Sequence, residues 1–245
     1  MCPAFTTGAF VALFFERGID MSISHNEKLN TVSSANQMVK GAVKIVKNDG
    51  KYRVLFIGNS ITWHGPKADI GWHGDWGMAA SKEENDYVHV LVSMLQESGD
   101  NVDYCIAQLA EWERDYERGF DILNEKYALA REFGADLVIV RIGENMPKGS
   151  APASKDRFAE MIGYFVTKPT TRVIVTDSFW QNDPRDNMIR EIAQERGYTF
   201  CHLCDLEKDP KTMAIGQFEH RGVSVHPSDY GMEMIARRLF DAIKG

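Results

Sequence analysis

The sequence predicts an α/β fold in which a parallel five-stranded sheet is covered by helices on both faces. Three observations predict it. Five short apolar runs alternate with five longer segments along residues 52–244, the pattern of repeated β-α units. The runs are nearly continuous in Val, Ile, Leu and Phe, as strands buried on both faces require. The last segment places Met232, Ile235, Ala236, Leu239, Phe240 and Ile243 at i, i+3, i+4, i+7, i+8 and i+11, one apolar face of a helix.

Residues 1–48 read as an N-terminal extension, partly helical or disordered, and 49–245 as the folded domain. In the extension Leu29, Val32, Met38, Val39, Val43 and Val46 are spaced loosely as for a helix. Asn48-Asp49-Gly50 is a turn that separates it from the domain. The first strand, 52–57, is an apolar run bounded by Gly58. Further strands are expected at 102–107, 137–142, 172–177 and 199–204. Helices are expected at 85–98, 115–133, 154–167, 184–197 and 228–244, the last with Ser228 as its N-cap.

Composition excludes several classes. With 28 Lys and Arg against 35 Asp and Glu, the net charge is −7, which argues against a nucleic-acid partner. No run reaches transmembrane length, so no membrane partner is expected. Residues 9–15 are apolar but short, with no basic residue before them and no small-x-small site after. That argues against a secretory signal and for a cytoplasmic protein, with Met21 as an alternative start. The four cysteines have no disulfide-framework spacing. Cys201-His202-x-Cys204-Asp205 has the residue types of a metal cluster, but Phe200, Leu203 and Leu206 make it read as a strand with buried thiols. Alternation along that strand would put Cys201 and His202 on opposite faces.

The chemistry-bearing residues stand at element boundaries. Ser60 lies in the turn leaving the first strand, where an α/β fold exposes a nucleophile beyond the carboxyl ends of its strands. Alone it would read as a helix cap. Gly143-Glu144-Asn145 follows the run Leu137-Val138-Ile139-Val140, and His226-Pro227 opens the last helix. Together they supply a nucleophile, an oxyanion donor and a base. Among seven histidines His226 is the best base; His220 in the same loop is a weaker rival, and His64 and His73 read as loop or substrate contacts.

Gly58-Asn59-Ser60, Gly143-Glu144-Asn145 and Val225-His226-Pro227 resemble the Gly-Asp-Ser, Gly-x-Asn-Asp and histidine blocks of the SGNH (GDSL-like) hydrolases. The likeness covers roughly residues 51–245, with order and spacing kept. It implies a flavodoxin-like three-layer fold with strand order 2-1-3-4-5, which puts the strands carrying Ser60 and Asn145 at the switch point. It also implies ester hydrolysis through an acyl-Ser60 intermediate, with His226 as base and no metal or organic cofactor. The oxyanion would be held by the Ser60 N–H, the Asn145 amide and a second-block N–H near Ala110. The sequence departs from the family at Asn59 and Met146, where the family has Asp, at a missing second-block glycine, and at Val223, where Asp would orient the histidine. Three orienters remain for His226: Glu219, a backbone carbonyl or water. A Ser–His dyad held by a carbonyl is expected, titrating near the ordinary imidazole value of about 6.5.

The segment after Ser60 carries Trp63, Trp72, His73 and Trp76, and Trp180 ends the fourth strand at the same sheet edge. Flat amphipathic rings there suit a sugar face, so Trp72, His73 and Trp180 are candidate substrate contacts; each Trp is as readily a core residue. The expected function is hydrolysis of a small acyl ester, with acetyl on a carbohydrate as the substrate. The rival is a non-catalytic carbohydrate-binding or scaffold protein on a degraded hydrolase fold.

Overall fold

The computed structural model describes residues 37–245; the first part of the expected extension, with Met21 and the apolar stretch 9–15, lies outside the described residues. One sheet runs through the molecule. Its strands are β1 (Gln37–Lys40), β2 (Val43–Val46), β3 (Tyr52–Gly58), β4 (Val102–Gln108), β5 (Leu137–Arg141), β6 (Arg172–Thr176) and β7 (Thr199–Cys201). Their order is β1-β2-β4-β3-β5-β6-β7. Five of them, β4-β3-β5-β6-β7, pair in parallel in the flavodoxin-like order. The expected sheet is thus present, and it has seven strands rather than five.

The two extra strands correct the expected extension. Residues 37–46 form an antiparallel hairpin, not a helix, and β2 pairs with the outer edge of β4 at Val43↔Ala107 through Val46↔Tyr104. Gly41 takes the left-handed conformation (φ 59°) that the hairpin turn needs. All of Val43-Lys44-Ile45-Val46 is buried, so tertiary burial of β-branched residues outweighs a loose helical spacing. The expected boundary at residue 48 therefore falls inside one sheet. Lys44 joins this hairpin to the segment after Ser60. Its side chain is 2% exposed, with Nζ 3.1 Å from the Asp75 carbonyl, 3.4 Å from Asp75 Oδ2 and 5.0 Å from the Trp63 ring centre.

The helices are α1 (Tyr87–Glu97), α2 (Ala110–Arg114), α3 (Phe120–Glu132), α4 (Lys155–Phe165), α5 (Asp183–Arg196), α6 (Arg221–Ser224) and α7 (Asp229–Lys244). The single helix expected over 115–133 is interrupted at Gly119 (φ 53°), with α2 placed ahead of it. Successive β3 residues point to opposite faces. Phe56 packs with α1 and α7 in one core layer, and Leu55 and Ile57 pack with α3, α4 and α5 in the other. Strand β7 ends at Cys201, so residues 202–204 lie beyond the strand expected there. Among the described residues no helix is long and apolar enough to cross a membrane.

Candidate active site

The turn leaving β3 is closed by its own backbone. Asn59 carbonyl accepts the N–H groups of Thr62 (2.9 Å) and Trp63 (3.0 Å), and the Ser60 carbonyl accepts from Met78 (2.8 Å). Gly58 is required where Thr62 crosses back over the strand end, since a Cβ there would lie 1.7 Å from Thr62 Oγ1. Ser60 is left half-buried at the carboxyl edge of the sheet, beside the switch between β3 and β5. Its N–H makes no hydrogen bond among the described residues.

Ser60 Oγ lies 2.8 Å from His226 Nε2. The loop carrying His226 is tied on both sides: His226 N–H donates to Val223, its carbonyl accepts from Ala214, and Ser228 N–H donates to Thr212. Ser228 caps α7 as expected, its hydroxyl accepting from Gly231 at 3.2 Å. Trp180 stands edge-on to the imidazole, ring centres 5.2 Å apart. On the far side of the ring Nδ1 is buried without a hydrogen bond of standard geometry, and the Gly222 backbone is the polar group acting on it. Burial pushes the imidazole pKa down to about 4; Arg141 adds to this, and Gly222 and Glu144 oppose it. The ring is therefore a neutral acceptor, and not the imidazole of ordinary pKa that the sequence suggested.

Behind Ser60 lies a buried polar network that the motifs did not reveal. Arg141, at the end of β5, reaches Glu144 with Nη1 (2.8 Å) and Asn59 Oδ1 with Nη2 (2.5 Å). Asn59 Nδ2 donates to Glu144 (2.6 Å) and Glu113 (3.3 Å). Glu113 accepts three further N–H bonds, from Gly143 (2.6 Å), Asn145 backbone (3.2 Å) and Asn145 Nδ2 (2.6 Å). Glu113 and Arg141 are fully buried. Burial and the Glu144 charge push the Glu113 carboxyl up; burial acts the same way on Glu144, but Arg141 outweighs it and holds Glu144 below its ordinary value. Asn145 spends one amide hydrogen on Glu113 and keeps a second for a ligand.

Comparison with known proteins agrees at the level of fold. In sequence, no protein-family model and no curated protein matches the chain. In structure it is similar to a psychrotrophic esterase, EstA, from Pseudoalteromonas sp., with a TM-score of 0.52 and 12% identity over 79% of this chain and 97% of that one. It is equally similar to a protein described as a GDSL-like lipase from Parabacteroides merdae, at 0.53 and 14% over 80% and 96%. The chain has the SGNH/GDSL-like hydrolase fold.

Against the SGNH pattern, three of the four departures have a physical setting. Asn59 stands where an Asp would face two carboxylates; as an amide it donates to both and accepts from Arg141. Val223, at the place of the orienting Asp, is fully buried in the core. Glu219 is exposed and makes no hydrogen bond or ion pair with His226, so it does not take over that place. Ala110 opens α2, and its N–H already donates to Gln108 Oε1 at 3.2 Å; Leu109 N–H donates to Gly58. Neither Leu109 nor Ala110 therefore has a free N–H for an oxyanion. Trp72 is 2% exposed, packed against Trp76 and bonded to the His64 carbonyl, which makes it core and not a sugar platform. His73 is half-buried on the same loop, and His220 is exposed. Of the Trp and His candidates, only Trp180 is brought against His226.

Proposed function

We propose that the protein is a serine esterase acting on small acyl esters, with acetylated carbohydrate as the substrate class. The observation that carries this reading is the 2.8 Å contact between Ser60 Oγ and His226 Nε2 at the carboxyl edge of the sheet. Neutral His226 takes the hydroxyl proton as Ser60 attacks the ester carbonyl. The Ser60 N–H and the free hydrogen of Asn145 Nδ2 face the oxyanion. His226 returns the proton to the departing alcohol, then activates water against the acyl-enzyme. A covalent serine-directed phosphonate followed by an acyl-ester panel tests it. Labelling at Ser60 with acetyl-ester turnover supports it; an unlabelled Ser60 would leave a binding protein, the reading that the loss of an Asp at Val223 favours.

Asn145→Ala should lower kcat by roughly 10²–10³ with a smaller change in KM, since a donor to developing charge acts in the transition state. A change in KM alone would make Asn145 a ground-state binder. Glu219→Gln should cost under about tenfold in kcat/KM, because Glu219 is exposed and away from the ring. A triad carboxylate would cost nearer 10⁴. The acid limb of the kcat/KM profile should fall near pH 4 and not near 6.5. With the pKa lowered, His226 keeps its neutral, active form as pH drops to about 4. Trp180→Ala should raise KM for an acetylated sugar more than for an aryl acetate. An equal effect on both substrates would give Trp180 a purely structural part beside His226.

A further inference from the structure

Away from Ser60, three side chains of different ligand chemistry meet beyond the carboxyl ends of β6 and β7. One ligand atom from each of Asp177, His202 and Cys204 lies within 4.8 Å of the other two. The strand ends explain the meeting. Asp177 directly follows β6, and β7 stops at Cys201, so residues 202–204 turn across the end of β6. Strand alternation no longer holds there, and Cys204 comes round beside His202. The turn is fastened by Asp177 Oδ1, which accepts the N–H groups of Leu203 (2.5 Å) and Cys204 (3.0 Å). Asp177 Oδ2 lies 2.6 Å from His202 Nδ1, and the Cys204 thiol bonds to the same carboxylate. Asp177 and Cys204 are buried, whereas the His202 side chain is 51% exposed. A surface cavity of about 410 Å³, lined by His202, Asp205, Arg238 and Asp241, opens on that side.

We propose that Asp177, His202 and Cys204 form a binding site for one divalent transition-metal ion, best matched by zinc, with a fourth position open to water. The donor set decides the metal: thiolate, imidazole and carboxylate together suit zinc, whereas magnesium and calcium take oxygen alone. Without an ion, hydrogen bonds from Cys204 and His202 Nδ1 to the Asp177 carboxylate hold the three groups together. On binding, Cys204 releases its proton to solvent and coordinates as thiolate. His202 stays neutral by carrying its proton on Nε2, which faces Asp205 Oδ1 at 3.5 Å as an outer carboxylate. One thiolate and one carboxylate neutralise the dication.

The surroundings favour a cation. The carboxylates of Asp177, Asp186 and Asp205 act together on this corner of the molecule, and their negative field attracts a dication. Arg238 is the opposing charge, and it is paired through both Nη atoms with Asp205. Tetrahedral zinc needs its nitrogen and oxygen ligands about 3.3 Å apart, so His202 must move back from its hydrogen bond to Asp177. Its exposure leaves room for that. The site joins the ends of two strands and shares no residue with the Ser60–His226 pair.

Titration of the chelator-treated full chain with Co²⁺, followed by displacement with Zn²⁺, tests the site. The expected result is one ion per chain, a near-ultraviolet thiolate-to-cobalt band, and a higher Tm with zinc. Cys204→Ser should abolish the band and Cys201→Ser should leave it unchanged. His202→Ala should weaken affinity by more than the roughly 10–100-fold that loss of an outer partner costs. Because His202 is half exposed, that variant keeps the fold even where a core substitution does not. Absence of saturable binding, or a band that survives Cys204→Ser, would overturn the proposal.

Discussion

Ser60→Ala should lower kcat by about 10⁶ while the protein stays folded, the loss seen when a triad-type hydrolase is deprived of its nucleophile. The size follows from what the hydroxyl touches. Ser60 Oγ has one partner, His226 Nε2, and the turn around it is held by backbone bonds of Asn59, Thr62, Trp63 and Met78. Removing one oxygen therefore leaves the turn, the free Ser60 N–H position and the Asn145 amide as they were. Only the attacking atom is lost. The residual rate, measured beside the Tm, then reports what oxyanion donors and substrate binding do without a covalent intermediate. Turnover within tenfold of the wild type would place the nucleophile elsewhere and end the esterase reading at Ser60.

The parts of the molecule that sequence alone predicted share one property: their burial is written into a local pattern. The parallel strands are runs of Val, Ile, Leu and Phe because both faces are covered, and α7 carries a full apolar stripe. Ser60, Asn145 and His226 were legible because chemistry at the carboxyl edge of such a sheet must sit at strand or helix ends. The β1-β2 hairpin was hidden, since four-residue strands are too short for a period to show and their burial comes from the distant edge of β4. Glu113 was hidden for a similar reason. Its place after the second strand puts it at the nucleophile's edge of the sheet, but only the fold turns it inward to hold Asn145. Arg141 did carry a signal: a cation closing an otherwise apolar, doubly covered strand two residues before Gly143 has nowhere to go but the site. Trp72 shows the reverse error, where a residue type suited to sugar stacking belongs to the core.

Arg141→Met should destabilise the protein by about 3–5 kcal/mol at neutral pH, the cost of breaking a buried ion pair from one side. Methionine fills much of the same space, so packing changes little; the charge is what disappears. Glu144 would lose the one cation paired with it among the described residues and Asn59 one donor, and Glu113 would remain as a second buried carboxylate nearby. The pH dependence separates this from a packing loss. With Arg141 present, Glu144 has a pKa below its unfolded value, so its contribution is complete above about pH 4.3 and is lost as pH falls through the lowered value. Without Arg141, burial outweighs the hydrogen bonds that remain from Phe179 N–H and Asn59 and raises the carboxyl above its unfolded value. The variant then loses stability as pH rises from about 4.3 upward. The gap between the two proteins should be smaller near pH 4 than at pH 7 and should close further only as pH falls through the lowered Glu144 value, read from denaturant unfolding at both values. Arg141→Lys, which keeps the charge but not the two-pronged contact, should recover part of the neutral-pH loss. A gap that is the same at both pH values would mean that Arg141 serves as packing, and that Asn59 and the turn of Ser60 are positioned without it.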